Sequence, residues 1–342
     1  MKPLVSKIQQ EDIQEFARTF ALADEVANTS FMVTGATGLI GSSLIHCLLA
    51  LDKGIHVVAP VRNKAKAESL FKETDGQLEW VECDLKSYNY DQLGNIDFIV
   101  HCASPTNGKY VQEHPVETFE LALESTRKLL GYSRSHLIKS MAYVSSLEAY
   151  GENFDDQTVD ENMRFYVDAQ NPRSAYPLGK RAAEYLCSAY AMEYSVPAKS
   201  VRLTQTFGAG VSKEDNRVFA QFARSVVSGS DIVLHTKGES AKPYCYLTDA
   251  VTAILYVLLR GKNGEVYNVA NESSYISIID LARFLRDSFN PQIEVRIELN
   301  DNMGYAPVTK LNLSTKKLRA LGWHPKYDLK LMFDRLIKYL SE

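Results

Sequence analysis

The chain has 342 residues, 45% of them hydrophobic, so it can bury a sizeable core as one large domain or two of ordinary size. Its 38 basic and 42 acidic residues give a formal net charge of -4. This balance disfavours nucleic acids and anionic membranes as partners and favours a small-molecule site. No apolar run approaches the ~20 residues of a membrane span, and the acidic residues within 1–29 are atypical of a signal peptide. We therefore expect a cytoplasmic protein.

The cysteine and histidine residues show no spacing typical of a metal site. The five cysteines are scattered and include no short-spaced pair, which indicates buried, reduced thiols. The seven histidines never fall at the spacing of metal ligands on one helix face. We therefore predict that the protein binds no metal.

Short apolar runs rich in β-branched residues alternate with amphipathic segments in the first half of the chain. The apolar runs predict buried parallel strands at Phe31–Thr34, Ile55–Val61, Leu78–Cys83, Phe98–His101 and Met141–Ser145. The segments between them predict helices that include Gly41–Leu51, Lys64–Lys72 and Pro115–Tyr132. This alternation predicts an α/β fold with a doubly wound parallel sheet of the Rossmann type, whose ligand lies at the carboxyl ends of the strands.

From about Val211 the alternation loosens, which predicts a smaller C-terminal lobe that closes over the substrate. Its predicted elements are helices at Val218–Ser228, Thr248–Arg260 and Ile278–Phe289 and strands at Ile232–His235 and Val266–Ala270. At the N-terminus, a helix over Glu11–Ala27 is expected to pack on the body of the protein, with a partner-binding arm as the alternative. The predicted division is an N-terminal helical extension (1–29), a Rossmann dinucleotide-binding domain with the catalytic residues (30–210) and a substrate-binding lobe (211–342).

A glycine-rich turn, Thr34 to Gly41, directly follows the first predicted strand and opens the first helix of that domain. Its glycines permit a tight turn, close approach of the backbone to a pyrophosphate, and close packing of strand on helix. The N-terminus of the helix offers unpaired N–H groups and the positive end of its dipole to the anion. The turn therefore predicts a dinucleotide site. The expected cofactor contacts in it are Gly35, Thr37, Gly38, Leu39, Ile40 and Gly41.

The choice between NAD and NADP depends on the end of the second strand. An acidic residue there would bind the ribose 2′-hydroxyl of NAD, but this region contains Arg62 and Lys64 instead. These residues either hold the extra phosphate of NADP or are solvated surface charges. Asp84, which follows the third strand and precedes Leu85, is placed to accept from the adenine amino group, with a helix or turn cap as its alternative role.

Tyr176 and Lys180 are four residues apart, which on a helix places them on one face, one turn from each other. A nearby ammonium favours the phenolate form of a tyrosine and so makes it a better base near neutral pH. Because such a pair is common by chance, the spacing alone does not identify an enzyme.

Together these features occur in the order and spacing of the extended short-chain dehydrogenase/reductase family: the Gly35–Gly41 loop, Asp84, His101–Pro105, Ser145–Gly151 and Tyr176 with Lys180. From about Phe31 to the C-terminus the chain resembles the NAD-dependent nucleotide-sugar epimerase/dehydratase branch of that family. Within the branch it looks most like UDP-glucuronate decarboxylases and neighbouring 4,6-dehydratases. The segments that carry this closer likeness are Asn171–Tyr176, Gly179–Arg181, Asp215–Val218, Tyr244–Tyr246 and Gly264–Val269.

The resemblance implies a role for each catalytic candidate. Ser146 would donate a hydrogen bond to the sugar 4-hydroxyl, and Tyr176 would remove its proton as the C4 hydride passes to the nicotinamide. Lys180 would hold the nicotinamide ribose and tune Tyr176. Glu148 matches a glutamate of dehydratases and decarboxylases that simple 4-epimerases usually lack, so it would act at C5, which the C4 ketone makes acidic. Its alternative role is a turn carboxylate that faces water.

The resemblance also implies further contacts with the cofactor and the substrate. The cofactor contacts beyond the glycine-rich turn are Arg62, Asp84, Leu85, Cys102, Ala103, Ser104, Tyr176 and Lys180. The substrate contacts are Ser104, Pro105, Ser146, Gln205, Arg217, Val218, Lys242 and Tyr244.

Four positions depart from the pattern of the branch. Leu147 occupies the place where one group of 4,6-dehydratases has the aspartate that expels water. Gln205 and Ala122 each replace an asparagine common in relatives, and Lys242 replaces an arginine. These departures leave dehydration, decarboxylation and epimerisation open. The alternatives are an NADPH-dependent reductase of a keto-sugar or related carbonyl and a non-catalytic nucleotide-binding regulator.

The helices predicted at Pro115–Tyr132 and Arg173–Glu193 resemble a pair that, in this family, forms a four-helix bundle across a two-fold axis. The resemblance therefore implies a homodimer. The alternative is that their outer apolar residues pack within the monomer.

Overall fold

The computed structural model describes residues 5–71, 76–300 and 308–342. In chain order its strands are β1 (Ser30–Thr34), β2 (His56–Val61), β3 (Leu78–Glu82), β4 (Phe98–His101), β5 (Ser140–Ser146), β6 (Thr158–Val159), β7 (Ala198–Leu203), β8 (Gln205–Phe207), β9 (Ile232–Leu234), β10 (Ala241–Tyr246), β11 (Val266–Val269), β12 (Asn271–Ser277), β13 (Val295–Ile297) and β14 (Asn312–Leu313). Its helices are α1 (Lys7–Thr19), α2 (Leu39–Ala50), α3 (Lys64–Glu68), α4 (Gly108–Glu113), α5 (Pro115–His136), α6 (Ala175–Tyr194), α7 (Val218–Ser228), α8 (Leu247–Arg260), α9 (Ile278–Phe289), α10 (Lys316–Arg319) and α11 (Leu329–Ser341).

Among the described residues, seven strands form one sheet in the order β3-β2-β1-β4-β5-β7-β11. Every neighbouring pair in it is parallel. The order runs outward in both directions from β1, so a crevice opens at the carboxyl ends of β1 and β4. The predicted Rossmann sheet is therefore confirmed.

The residues of β1 explain why its apolar run is continuous. Phe31 and Val33 lie in a core that also contains residues of α2 and α8. Met32, which points to the other face, lies in a core with residues of α5 and α6. Because helices cover both faces of the sheet, each position of the strand needs an apolar side chain.

A smaller lobe follows β7 and carries its own core. The sheet β12-β10-β8 packs with α7, α9 and α11, and their shared core includes Phe219, Leu281 and Phe333. The chain nevertheless returns to the large sheet after residue 211, because β11 pairs in parallel with β7. α8 also packs against β5 and β7. The smaller lobe is therefore not one continuous segment.

The N-terminal helix is present, but its predicted bounds are wrong. α1 spans Lys7–Thr19 and begins at a capping box, in which the Ser6 hydroxyl accepts from the Gln9 N–H and the Gln9 amide accepts from the Ser6 N–H. It ends at Phe20, before a short 3₁₀ turn at Ala23–Val26. The helix packs on α2, α8 and α11 and so extends the body of the protein.

The predicted helix at Lys64–Lys72 is also shorter than expected. α3 ends at Glu68, and Lys72 lies outside the described residues. Across the three described ranges, no helix combines the length and apolar character needed to cross a membrane.

Candidate active site

The glycine-rich turn joins β1 to α2 as predicted. Gly35 has a φ of 69°, which favours glycine, and a Cβ there would lie 2.8 Å from backbone atoms of Cys102 and Ala103. The Gly38 N–H donates to the Gly35 carbonyl at 2.9 Å, and Gly38 is the N-cap of α2. The turn thus leaves the N-terminus of a long helix open to an anion at the crevice.

A buried hydrogen-bond chain fixes the crevice beneath this turn. The hydroxyl of Thr34 lies 2.6 Å from Nδ1 of His101 and accepts from the N–H of Ala103 at 3.2 Å. Nε2 of His101 lies 3.0 Å from the hydroxyl of Ser125 on α5. Burial lowers the pKa of His101 to about 3, so the imidazole is neutral and serves as a link between strands and helix.

Two cavities lie at the carboxyl ends of the strands. The central cavity, of about 280 Å³, extends from the glycine-rich turn past Ser146 and Tyr176 to Arg217. The adjacent cavity, of about 320 Å³, extends from the same turn to Arg62 and Asp84. Every predicted cofactor contact lines one of the two: Gly35, Thr37, Gly38, Leu39, Ile40, Gly41, Arg62, Asp84, Leu85, Cys102, Ala103, Ser104, Tyr176 and Lys180.

Asp84 forms a turn cap, which is one of the two roles that the sequence left open. Its Oδ1 accepts from the Lys86 N–H at 2.8 Å, which makes it a turn cap. It is also exposed on the wall of the adjacent cavity, which Leu85 and Arg62 line as well. Pro105 lines the same cavity, and Ser104 lines both.

Ser146 ends β5, and Glu148 lies two residues later in a short 3₁₀ turn, Leu147–Tyr150. The Ser146 hydroxyl accepts from the Glu148 N–H at 3.2 Å and caps this turn. Glu148 is exposed on the wall of the central cavity, whereas Leu147 and Tyr150 are buried. The carboxylate therefore faces the same space as the Ser146 hydroxyl.

Tyr176 and Lys180 lie on the first turns of α6, and both line the central cavity. The Lys180 Nζ lies 5.5 Å from the centre of the Tyr176 ring and donates to the Val144 carbonyl at 2.8 Å. Lys180 is 3% exposed, so its position is fixed by burial and by the end of β5. The predicted helical pairing of tyrosine and lysine is present.

The electrostatics of the pair differ from our expectation. Burial raises the pKa of Tyr176 above its ordinary value, and the Glu148 carboxylate raises it further, while a hydrogen bond with Ser146 lowers it. Burial also lowers the pKa of Lys180 to about 8. The balance at Tyr176 thus favours the neutral phenol, because desolvation penalises the phenolate.

Some predicted substrate residues meet at the far wall of the central cavity and others do not. Gln205 and Arg217 line it. Val218 begins α7 and packs against the core of the smaller lobe, and Tyr244 is buried in that core against Phe207. Lys242, on β10, is partly buried and does not line the central cavity. Burial lowers its pKa, and the smaller, opposite effect of the Glu148 carboxylate shows that the two side chains are near each other.

The structure adds Arg173 and Thr106 to the residues that line the central cavity. Neither was a sequence candidate, although Arg173 belongs to the segment before Tyr176 that carried the family likeness. Arg173 also lowers the pKa of Lys242, so the two cations lie near each other and near Glu148. No group of His, Cys, Asp and Glu among the described residues is arranged to hold a metal ion.

The family model described as "NAD dependent epimerase/dehydratase family" matches residues 31–270. The chain belongs to this family. Family membership confirms the predicted class of enzyme and NAD as its cofactor, and the glycine-rich turn and the two cavities fit a dinucleotide.

Two curated relatives are similar along most of their length. UDP-glucuronic acid decarboxylase 5 of Arabidopsis thaliana is 25% identical over 308 residues, which is 89% of this chain and 87% of the relative. UDP-glucuronic acid decarboxylase 1 of Xenopus tropicalis is 24% identical over 340 residues, which is 97% of this chain and 79% of the relative. The sequence similarity to these decarboxylases therefore extends across both lobes.

Solved structures show the same fold at lower identity. UDP-glucose 4-epimerase of Thermotoga maritima, determined with UDP-glucose, has a TM-score of 0.78 at 20% identity and covers 91% of this chain and 98% of its own. dTDP-glucose 4,6-dehydratase of Bacillus anthracis, determined with NAD, has a TM-score of 0.75 at 18% identity and covers 91% of this chain and 96% of its own. These structural similarities confirm the fold predicted from the motifs, that of the extended short-chain dehydrogenase/reductase family.

Proposed function

We propose that this protein converts a nucleotide sugar through a transient 4-keto intermediate and returns the hydride to the sugar in each cycle, so that net redox change is zero. The observation that carries the proposal is the meeting of Ser146, Tyr176, Lys180 and Glu148 on the wall of one cavity beside the dinucleotide turn. Ser146, Tyr176 and Lys180 suffice for oxidation at C4. Glu148 provides a second acid–base group.

In the first step, Tyr176 accepts the proton of the sugar 4-hydroxyl while Ser146 holds that hydroxyl. NAD supplies the hydride acceptor and, on its oxidised nicotinamide ring, a positive charge. Lys180, which is buried next to Tyr176, adds a second positive charge near the phenol. Both charges oppose the effect of burial on the pKa of Tyr176.

In the second step, Glu148 removes the C5 proton in an epimerisation, or protonates C5 after carbon dioxide has left in a decarboxylation. The C4 ketone stabilises negative charge that develops at C5, whether a proton or carbon dioxide leaves. Leu147, which is buried, offers no acid to expel water from the sugar. This favours decarboxylation or epimerisation over dehydration by a separate acid.

The cations Arg173 and Lys242 support an anionic substrate. Among the described residues, neither side chain has a hydrogen bond or ion pair with a protein carboxylate, and both lie close to Glu148. Arg173, exposed on the wall of the cavity, and Lys242, partly buried near it, leave positive charge that favours an anion such as a sugar carboxylate or a diphosphate. Together with the named activity of the relatives, this makes UDP-glucuronate the first substrate to test.

The test follows nicotinamide absorbance and product release with UDP-glucuronate, UDP-glucose and dTDP-glucose. In Glu148→Gln the first hydride transfer should survive, because Ser146, Tyr176 and Lys180 are unchanged. Reduced cofactor should then accumulate, without exchange of the C5 hydrogen in heavy water. Glu152→Gln, which removes a carboxylate that does not line the cavity, is the matched control. Normal product formation by Glu148→Gln would leave simple 4-epimerisation as the better function.

Arg62 favours one alternative, a reductase that uses NADPH, because its side chain lines the adjacent cavity. A reductase consumes reduced cofactor stoichiometrically, whereas the proposed enzyme regenerates it. We therefore expect denatured protein to release NAD, and calorimetric titration of cofactor-free protein to give tighter binding of NAD than of NADP. An NADP preference of about tenfold, ~1.4 kcal/mol, would favour the reductase.

The proposal includes a cytoplasmic homodimer. α5 and α6 pack side by side, and apolar side chains on them remain exposed, among them Val116 (68%), Tyr185 (72%) and Met192 (86%). A second copy that places the same two helices against this face would cover them and form a four-helix bundle. The division of the chain into an extension, a cofactor domain and a substrate lobe is part of the same proposal, with α8 and β11 assigned to the cofactor domain although they follow residue 211.

A further inference from the structure

Arg181, on α6, forms hydrogen bonds with the 3₁₀ turn that carries Glu148. Its Nε donates to the Ala149 carbonyl at 2.5 Å, and its Nη2 donates to the Tyr150 carbonyl at 2.6 Å. The same Nη2 donates to the Phe165 carbonyl at 2.7 Å. One guanidinium therefore bonds the two residues that follow Glu148 and the neighbouring segment that covers them.

The charged side chain of Arg181 is directed at the backbone. Among the described residues its hydrogen bonds go to carbonyl oxygens, and no ion pair with a carboxylate is present. Burial lowers its pKa, and the neighbouring cations Arg164 and Arg202 lower it further. A guanidinium kept in such surroundings indicates that its fixed fork of donors is needed at this place.

The backbone at the end of the turn packs closely against Arg181. Gly151, which ends the turn, has a φ of 84°, and a Cβ there would lie 3.0 Å from Nη2 of Arg181 and collide with the Tyr166 carbonyl. Leu147 and Tyr150 anchor the turn in a small core. That core fixes where the turn lies, while Arg181 joins it to the helix of Tyr176 and Lys180.

We propose that Arg181 is a positioning residue that sets Glu148 against the C5 atom of a substrate whose C4 atom is held by Tyr176. The proposal rests on the proposed function of Glu148. Lys180 and Arg181 are consecutive residues of α6, so the same helix fixes the group for oxidation and the turn that carries the group for the later proton transfer. A misplacement of about 1 Å can lower a rate about 10²-fold.

The test compares Arg181→Met and Arg181→Lys with Glu148→Gln and with wild type, using UDP-glucuronate as the probe. In Arg181→Met, the first hydride transfer should stay within about twofold of wild type, while product formation should fall about 10- to 10²-fold and reduced cofactor should accumulate. Arg181→Lys, which keeps the charge and some donors, should recover part of the loss. A purely structural role would slow both steps equally and would not change the partition.

Arg164→Met is the matched control, since Arg164 also donates to backbone carbonyls, those of Glu161 and Met163, in a neighbouring segment. It should lower the thermal midpoint without accumulation of reduced cofactor. If Glu148→Gln accumulates reduced cofactor but Arg181→Met does not, the inference about Arg181 is wrong and the proposed function stands. If Glu148→Gln turns over normally, the proposed role of Glu148 at C5 fails and simple 4-epimerisation becomes the better function.

A second measurement needs no substrate. Amide hydrogen exchange in residues 147–151 should become faster in Arg181→Met, because their contacts to α6 are lost. Exchange in the first turns of α6 should remain as in wild type. Unchanged exchange in residues 147–151 would overturn the proposal.

Discussion

Replacing Glu184 with glutamine is expected to lower the free energy of unfolding by about 3–5 kcal/mol, because it leaves a buried guanidinium without its counter-charge. Arg202 is 0% exposed, and its Nε and Nη2 donate to the two carboxylate oxygens of Glu184 at 2.9 and 2.6 Å. The hydroxyl of Ser145 donates to the same carboxylate at 2.5 Å. A glutamine amide turns an N–H donor toward one of these donors, so at least one bond is lost in addition to the charge.

Urea unfolding at neutral pH measures this difference, and an unchanged slope with a lower midpoint assigns it to the native state. Asp334→Asn is the control, because Asp334 forms an exposed ion pair with Lys338 at 2.7 Å on α11. That substitution should cost at most ~0.5 kcal/mol. A loss below about 1 kcal/mol for Glu184→Gln would refute the reasoning that the Glu184–Arg202 pair is desolvated and mutually dependent.

Three further outcomes are expected. Tyr176→Phe should keep its fold and cofactor content while turnover falls about 10²- to 10⁴-fold, so near-normal steady-state turnover would exclude Tyr176 as the base. Burial lowers the pKa of Lys180 to about 8, so its amine loses the positive charge as the pH rises through that value. We therefore expect kcat/KM to fall near this pH, whereas a pH profile that stays level to pH ~10 would mean that Lys180 acts uncharged. Light scattering at micromolar concentration should give twice the mass of the chain, and Tyr185→Glu should shift the species toward the monomer, whereas a monomeric wild type would refute the dimer.

The parts of the fold that were predictable are those in which local pattern and tertiary role agree. The strand at Phe98–His101 and the helices at Val218–Ser228 and Ile278–Phe289 have the predicted bounds. Each has the apolar period that its buried faces require. The glycine-rich turn was equally clear, because its φ and its close contact with the backbone after β4 require glycine at position 35. At Gly35 the backbone conformation and the tertiary packing therefore both require glycine.

The candidate site was predictable in its catalytic groups and less so in its surroundings. The spacing of Tyr176 and Lys180 follows from one helix, so it can be read without a structure. Arg173 and Arg181 were missed as functional candidates because an arginine in a polar segment is usually a solvated charge. What distinguishes Arg181 is three carbonyl oxygens from two separate segments, and their convergence depends on tertiary structure.

β7 shows the same limit in the fold itself. Its sequence, Ala198 to Leu203, contains Lys199 and Arg202, and both charges interrupt the apolar run by which a central parallel strand is recognised. In the sheet they are buried, because Lys199 donates to the hydroxyl of Ser140 at 2.6 Å and Arg202 is paired with Glu184. Glu184 lies one turn beyond Lys180 on α6 and also accepts from Ser145, the neighbour of Ser146. Glu184 thus joins the helix of Tyr176 and Lys180 to β7 through Arg202 and to β5 through Ser145. The ion pair conceals β7 from a hydrophobic pattern, because a local propensity cannot register a charge whose partner comes from another element.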